Sequence, residues 1–295
     1  MTPWLIVICV YFGRWPTWMN FFVETCKWNT DVHWRIYTDC GEPENDADNI
    51  KYVHTSFTDY KAFVRDRLAI SFAPDDPYKI CDLRPCFGHL HEEDIAAYPF
   101  FGYGDLDVIY GRISAFYNEV KFHGCDVISS HRERLSGHLA VFRNTSAIRE
   151  AYKRIPDYRQ RLEAPTYLGL DEIAFAQLFL GHQRTSFVER YSTVLSSRGW
   201  HDGTMNYPQR WFWRRGCLTN ERDGDRQFLY LHFMRWQSSR WVNNPPQPGE
   251  GAWVGRDILG VDWRVAATDG FSISPEGFSA IDWTRRTDLS AYDQS

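Results

Sequence analysis

The chain has 295 residues, a net charge of −5, 43% hydrophobic and 24% charged side chains. That is enough apolar material for a sizeable core, and it excludes a disordered, collagen-like or coiled-coil chain. Without a net positive field to collect phosphates, a nucleic-acid partner is excluded too. Aromatics reach 17%, with 13 Trp; flat rings suit sugar faces, but Trp is more often core. The 27 Arg against 6 Lys report a GC-rich genome before they report chemistry. Seven cysteines, an odd number without a CxxC pair, predict free buried thiols in a reducing compartment. The apolar run from Trp4 to Phe12 lacks the flanks of a secretory signal, and it is about half the length that spans a bilayer. A cytoplasmic protein is expected.

In chain order, Leu5 to Phe12 is continuous, short and β-branched, the pattern of a buried parallel strand ended by Gly13. Pro16 opens a helix reaching about Lys27. Strands follow at 34–38, closed by Asp39, and at 50–54. Tyr60, Phe63, Val64, Leu68 and Phe72 share one face of a helix over 58–72. A third helix is predicted from Pro77 towards Ala97, then an interrupted strand over 100–110 and short strands at 126–129 and 139–142. Asn144-Thr-Ser caps a helix through Arg154. An apolar-faced helix runs from Asp171 to Leu180, and a late strand covers 227–234. The alternation predicts an α/β fold with a mixed or mainly parallel sheet covered by helices. The turn-rich segment 243–251 reads as a linker, dividing a main domain, 1–240, from a C-terminal extension, 241–295.

The sharpest local feature is Phe100-Phe-Gly-Tyr-Gly-Asp105-Leu-Asp107-Val-Ile-Tyr110. On a strand, Asp105 and Asp107 point the same way. Two converging carboxylates are costly unless a cation lies between them, and oxygen ligands suit Mg²⁺ or Mn²⁺. An edge pair facing water is the alternative. His89-Leu-His91-Glu92-Glu93 lacks the HExxH spacing and reads as a solvated helix face. The stretch 181–240, with ten Arg against five acids, reads first as packing around Trp211-Phe-Trp213. Peripheral contact with an anionic membrane, at its inner face, is the further expectation there.

Several segments recur in an order that carries a resemblance. Pro77-Tyr-Lys79-Ile-Cys-Asp82-Leu-Arg-Pro85 precedes the DxD. Ser136-Gly137-His138-Leu-Ala-Val-Phe-Arg-Asn144, then Leu170-Asp171-Glu172, then Leu229-Tyr-Leu-His232-Phe follow it. Over about residues 5–235 this resembles bacterial GT-A-fold glycosyltransferases of capsular and lipopolysaccharide type. It is more distantly similar to the glycogenin and lipooligosaccharide galactosyltransferase group. The Asp-Glu pair, where that group has Asp-Gln, is a departure.

The resemblance implies a GT-A sheet, a nucleotide-diphosphate sugar donor with UDP favoured, a saccharide or glycolipid acceptor, and Mn²⁺ or Mg²⁺. It implies metal ligation by Asp105, Asp107 and His232. It puts Lys79 on the diphosphate, with Asp82 on the same segment, and Asp39 and Gly13 at the nucleoside. Ser136, Gly137 and His138 would line the sugar pocket. Asp171 and Glu172 would be the acids nearest the reacting sugar, Asp171 the first choice; retaining and inverting courses both stay open. The competing readings are a haloacid-dehalogenase-type phosphohydrolase, from Asp105-Leu-Asp107, and a non-catalytic carbohydrate-binding protein, from the aromatic content.

Overall fold

The structure, a computed structural model, describes residues 3–118, 123–132, 134–187, 191–193, 208, 210–233, 258–274 and 276–282. The strands in chain order are β1 (Leu5–Tyr11), β2 (Val32–Thr38), β3 (Ile50–His54), β4 (Phe100–Gly104), β5 (Val108–Tyr110), β6 (Val127–Ser129), β7 (Leu139–Arg143) and β8 (Thr185–Phe187). After them come β9 (Tyr191–Thr193), β10 (Trp211–Arg214), β11 (Cys217–Asn220), β12 (Tyr230–His232), β13 (Leu259–Gly260), β14 (Phe271–Ser274) and β15 (Gly277–Ser279). The chain divides into two units, the first made of 1–15, 30–106 and 117–188, the second of 16–29, 107–116 and 189–295.

The first unit holds a seven-stranded mixed sheet in the order β3-β2-β1-β4-β7-β6-β8. β1 pairs in parallel with β2 and β4, and β2 with β3. β7 runs antiparallel to β4 and β6, and β6 is parallel to β8. Leu5 to Cys9 are buried without alternation, as a central parallel strand covered on both faces requires. Helix α1 (Met19–Lys27) belongs to the second unit, and helix α2 (Phe57–Leu68) to the first. α2 starts on a Ser56 cap that accepts from the Asp59 amide, and it buries Tyr60, Val64 and Leu68 in one core with Ile6, Ile8, Leu83, Phe101 and Phe142. It stops at Leu68, short of Phe72, because Ala69 turns left-handed at φ 51°.

The helix expected over 77–97 is three short pieces: a 3₁₀ segment, Pro77–Cys86, then Phe87–Leu90 and Glu92–Ile95. Pro85 lies inside the first piece, where a missing N–H prevents a continuous α ladder. His91 is buried rather than solvated; the Tyr37, Tyr60 and Phe87 rings surround it. The strand expected over 100–110 is two strands in two sheets. The bend containing Asp105 and Asp107 separates β4 from β5, and the chain passes from the first unit to the second after Leu106. The same-face argument for the two aspartates therefore does not apply; they are near each other because one residue separates them.

The second unit has a three-stranded sheet, β5-β12-β9, and a five-stranded sheet, β11-β10-β14-β15-β13. Asn29, at the end of α1, is a buried clamp: its Nδ2 donates to the Gly111 carbonyl and its Oδ1 accepts from the Ile113 amide at 2.6 Å. Trp211 and Trp213 are fully buried with Phe21, Phe228 and Phe271, so these Trp residues are core. Residues 271–274 pair with β10. The boundary near residue 240, the linker 243–251 and most of the basic stretch 181–240 lie outside the described residues. No cysteine is in a disulfide. Among the described residues no helix is long and apolar enough to cross a membrane.

Candidate functional site

The parallel strands β1, β2 and β4 send their carboxyl ends to one sheet edge, the edge where open α/β sheets bind ligands. Asp39 and Asp105 follow those ends directly, and Gly13 comes one residue later. Gly13 adopts φ 112°, a conformation that favours glycine, and its amide donates to Asp39 Oδ1 at 2.7 Å. The two residues the sequence analysis set at the nucleoside are thus brought together, with one Asp39 oxygen committed to shaping the turn.

β7 is antiparallel to β4 with Leu139 opposite Gly104, so the segment just before β7 arrives at the same edge. The Asp105 amide donates to the His138 carbonyl at 3.3 Å. A carboxylate oxygen of Asp105 and a ring nitrogen of His138 lie within 4.8 Å. His138 is therefore placed as a metal-ligand candidate, a role the sequence reading did not give it. Ser136 is buried and shapes the turn: its Oγ accepts from the His138 amide, and its own amide donates to Ser129 Oγ.

Gly137 sits where no side chain fits. A Cβ there would meet Arg84 Nη1 at 2.6 Å, Glu172 Oε1 at 3.4 Å and Asp105 Oδ2 at 3.6 Å. Its amide donates to Glu172 Oε1 at 3.3 Å. Arg84 is the residue that sequence reasoning missed. Its guanidinium spans two carboxylates, Asp105 through Nη2 and Asp171 through Nη1 at 2.8 Å, and lies over the Tyr103 ring. Burial alone would lower its pKa; the Asp105 carboxylate, the Cys81 thiol and Asp171 outweigh that and hold it well above the ordinary value. The available signal was its place in the 77–85 segment, a cation two residues past Asp82.

Lys79 and Asp82 form a second buried pair, 2.8 Å apart. Lys79 is 1% exposed and donates to Asp82 Oδ2, the Arg161 carbonyl and the Thr166 carbonyl. An ammonium has three donors, so none is left for a diphosphate. Asp82 in turn accepts from the Leu168 and Leu170 amides, each at 2.8 Å. Both residues, expected at the donor, instead tie the 164–170 loop in place.

That loop delivers Asp171 and Glu172. The segment expected as one regular helix is a π-helical turn, Leu170–Ala174, followed by a 3₁₀ turn, Ala176–Leu178; such π turns recur at functional sites. The order of the two acids reverses. Asp171 is fully buried, bonded to Arg84, and accepts from the Tyr167 hydroxyl at 3.4 Å. Burial raises its pKa, and Arg84 opposes the rise. Glu172 has a side chain 26% exposed and pairs with Arg134 at 3.3 Å. Glu172 is the acid that reaches solvent. Cys9 and Cys81, near Asp105, are both pushed up to about 12 by burial, so neither is a thiolate nucleophile.

In the second unit, β5 and β12 are antiparallel with Val108 opposite His232. The register puts His232 beside Asp107, Nε2 to Oδ2 at 3.1 Å, and the Phe233 amide donates to the Asp107 carbonyl. Each aspartate of the DxD thus has a buried histidine next to it within its own unit, His138 for Asp105 and His232 for Asp107. Asp223-Gly-Asp225, the late acidic pair that a phosphohydrolase would require, lies in a turn after β11.

No curated protein matches the chain by sequence. Among solved structures it is similar to an active-site mutant of LgtC, at 8% identity over 88% of this chain and 93% of that one, TM-score 0.42. It is also similar to a glycosyltransferase involved in glycosylation of the major capsid of PBCV-1 (12% identity, 65% and 85% covered, TM-score 0.37) and to mouse xyloside xylosyltransferase 1 (9%, 67% and 88%, TM-score 0.38). By sequence, residues 7–248 match the family described as "Family of unknown function (DUF6625)". With that match covering most of its length, the chain belongs to the DUF6625 family.

Proposed function

We propose that this protein is a metal-dependent GT-A glycosyltransferase that moves a sugar from a nucleotide-diphosphate donor, with UDP favoured, to a saccharide or glycolipid acceptor in surface polysaccharide assembly. The observation that carries the reading is the pairing of each DxD aspartate with a buried histidine, Asp105 with His138 and Asp107 with His232. Two carboxylates joined through one residue and two imidazoles form a donor set that suits Mn²⁺, and Mg²⁺ less well because of the nitrogens. Asp105, Asp107 and His232 would hold the ion, with His138 added to the set. When bound, such an ion supplies Lewis-acid stabilisation of a departing diphosphate.

The chain's own residues supply the rest. The Gly13–Asp39 turn offers an open backbone approach for a nucleoside at the sheet edge. Gly137 keeps the floor of the site thin enough for Arg84, Asp105 and Glu172 to converge. Arg84 holds Asp105 and Asp171 at fixed separation. Glu172, half-buried and adjacent to the Gly137 amide, would be the carboxylate that accepts a sugar hydroxyl. The phosphohydrolase alternative needs its nucleophile motif directly after the first strand, and Asp105 follows β4 instead.

The test is calorimetric binding of UDP, UMP and uridine with Mn²⁺ and with chelator, on the wild type and on Asp107→Asn. UDP binding that requires Mn²⁺ and is lost in the variant is the expected result. UDP binding indifferent to chelator, or no preference for UDP over uridine, sinks the reading.

A further inference from the structure

Beside the buried Asp171 lies a surface that nothing above uses. Tyr78 is 53% exposed and Ile173 61% exposed, with Tyr167 and Leu168 also open to solvent. The Tyr78 and Tyr167 rings meet edge-on, centroids 4.9 Å apart at 70°, which holds both in place. A Cβ on Gly169 would touch Ile173 at 3.3 Å and the Tyr167 hydroxyl at 3.7 Å, so Ile173 and Tyr167 flank one glycine and form a continuous ledge. The Tyr167 hydroxyl donates to Asp171. The ledge is thus one hydrogen bond from the acid pair of the proposed site.

Its charge selects an occupant. Of the five carboxylates in the segments that build it, residues 69–84 and 164–174, Asp82 and Asp171 are buried against Lys79 and Arg84, Glu172 pairs with Arg134, and Asp75 and Asp76 are exposed. Lys79 is buried and has spent its donors on Asp82 and two carbonyls. Asp75 and Asp76 are exposed directly before the Tyr78 ring, and Asp76 Oδ1 accepts from the Tyr78 amide. An anionic headgroup, a lipid diphosphate or an acidic sugar on the Tyr78 ring would meet the exposed Asp75 and Asp76 carboxylates. A neutral pyranose fits both halves of the surface: its C–H face lies on an aromatic ring, and its hydroxyls donate to the flanking carboxylates.

We infer that the Tyr78–Tyr167 ledge is the acceptor subsite and takes a neutral, unphosphorylated glycosyl terminus. This rests on the glycosyltransferase reading above and narrows its acceptor.

The experiment is saturation-transfer NMR with methyl β-glucoside, methyl β-galactoside and methyl N-acetyl-β-glucosaminide as neutral probes and methyl β-glucuronide as the acidic one. Wild type, Tyr78→Ala and Tyr78→Trp are compared, and UDP binding is measured on each. Wild type is expected to saturate the ring protons of at least one neutral probe and not the glucuronide. Tyr78→Ala should bind that probe up to about tenfold more weakly, as loss of one aromatic contact implies. Tyr78→Trp should restore it, and UDP binding should stay unchanged throughout. No transfer to any neutral probe, equal transfer in Tyr78→Ala, or preference for the glucuronide overturns the inference. The two readings fail separately: neutral probes bound without UDP affinity refute the transferase but keep the ledge, and UDP bound without any glycoside refutes the ledge alone.

Discussion

Removing the Asp82 carboxylate is the perturbation that most directly separates a structural clamp from a ligand site. In Asp82→Ala the Lys79 ammonium, 1% exposed, keeps two carbonyl partners but loses its counter-ion. Breaking a buried pair from one side costs about 3–5 kcal/mol. The Leu168 and Leu170 amides also lose their acceptor, at about 1–3 kcal/mol each where water does not replace it. Against a total stability of about 5–15 kcal/mol, the variant is expected to be largely unfolded or to melt far below the wild type. Lys79→Met is milder, because Asp82 retains its two amide donors. Urea denaturation of both single variants and the double variant gives the coupling energy, expected at the upper end of about 0.5–3 kcal/mol for contacting residues. On folded Lys79→Met, the ratio of UDP to uridine affinity should equal that of the wild type. A Lys79→Met chain with wild-type stability and a selective loss of UDP affinity would refute the reasoning and return Lys79 to the phosphate.

Arg84→Met leaves Asp105 and Asp171 facing each other without their shared cation. A stability loss of about 3–5 kcal/mol by urea titration is expected. Arg84→Lys should recover only part of it, since an ammonium does not offer two parallel donors. Gly137→Ala forces Arg84 Nη1 to move from a 2.6 Å clash; turnover should fall far more than the melting temperature, and unchanged turnover would show that the site has slack. His91 is held neutral by burial, its pKa lowered to about 3 from 6.5. Between those values the unfolded chain binds the extra proton, so the stabilising contribution is complete above about pH 6.5 and is lost as pH falls through about 3. The ceiling is about 5 kcal/mol, read as the pH slope of urea stability. His91→Phe should flatten that slope, and an unchanged slope assigns it to other groups.

Much of the first unit is legible from residue patterns. β1 comes from a continuous apolar run and β2 from a shorter one, and their burial is dictated locally, while β3 buries little beyond Ile50. The segments that misled are those where a tertiary partner overrides a local rule. The 77–97 helix fails at Pro85. The 100–110 strand breaks because its two halves pair with different strands, β4 with β1 and β7, β5 with β12.

For the candidate site, residue pattern alone singled out Asp105 and Asp107; Ser136–His138, Asp171, Glu172 and His232 were expected there only through the resemblance that motif order carries. Donor chemistry is a property of the side chain alone, so the two converging carboxylates are legible in the sequence. Which charged groups face each other is decided by contacts 21 to 125 residues apart, such as Arg84 with Asp105 and His232 with Asp107. Only the folded backbone brings those groups within reach. It spends Lys79 and Asp82 on a buried clamp, places Arg84 between two acids, turns Asp171 inward and leaves Glu172 half-buried beside Arg134. A lysine or an aspartate reads the same in sequence whether its partner is a ligand or another part of its own chain. Burial settles which, because a charge taken from water must find its counter-charge within hydrogen-bond distance.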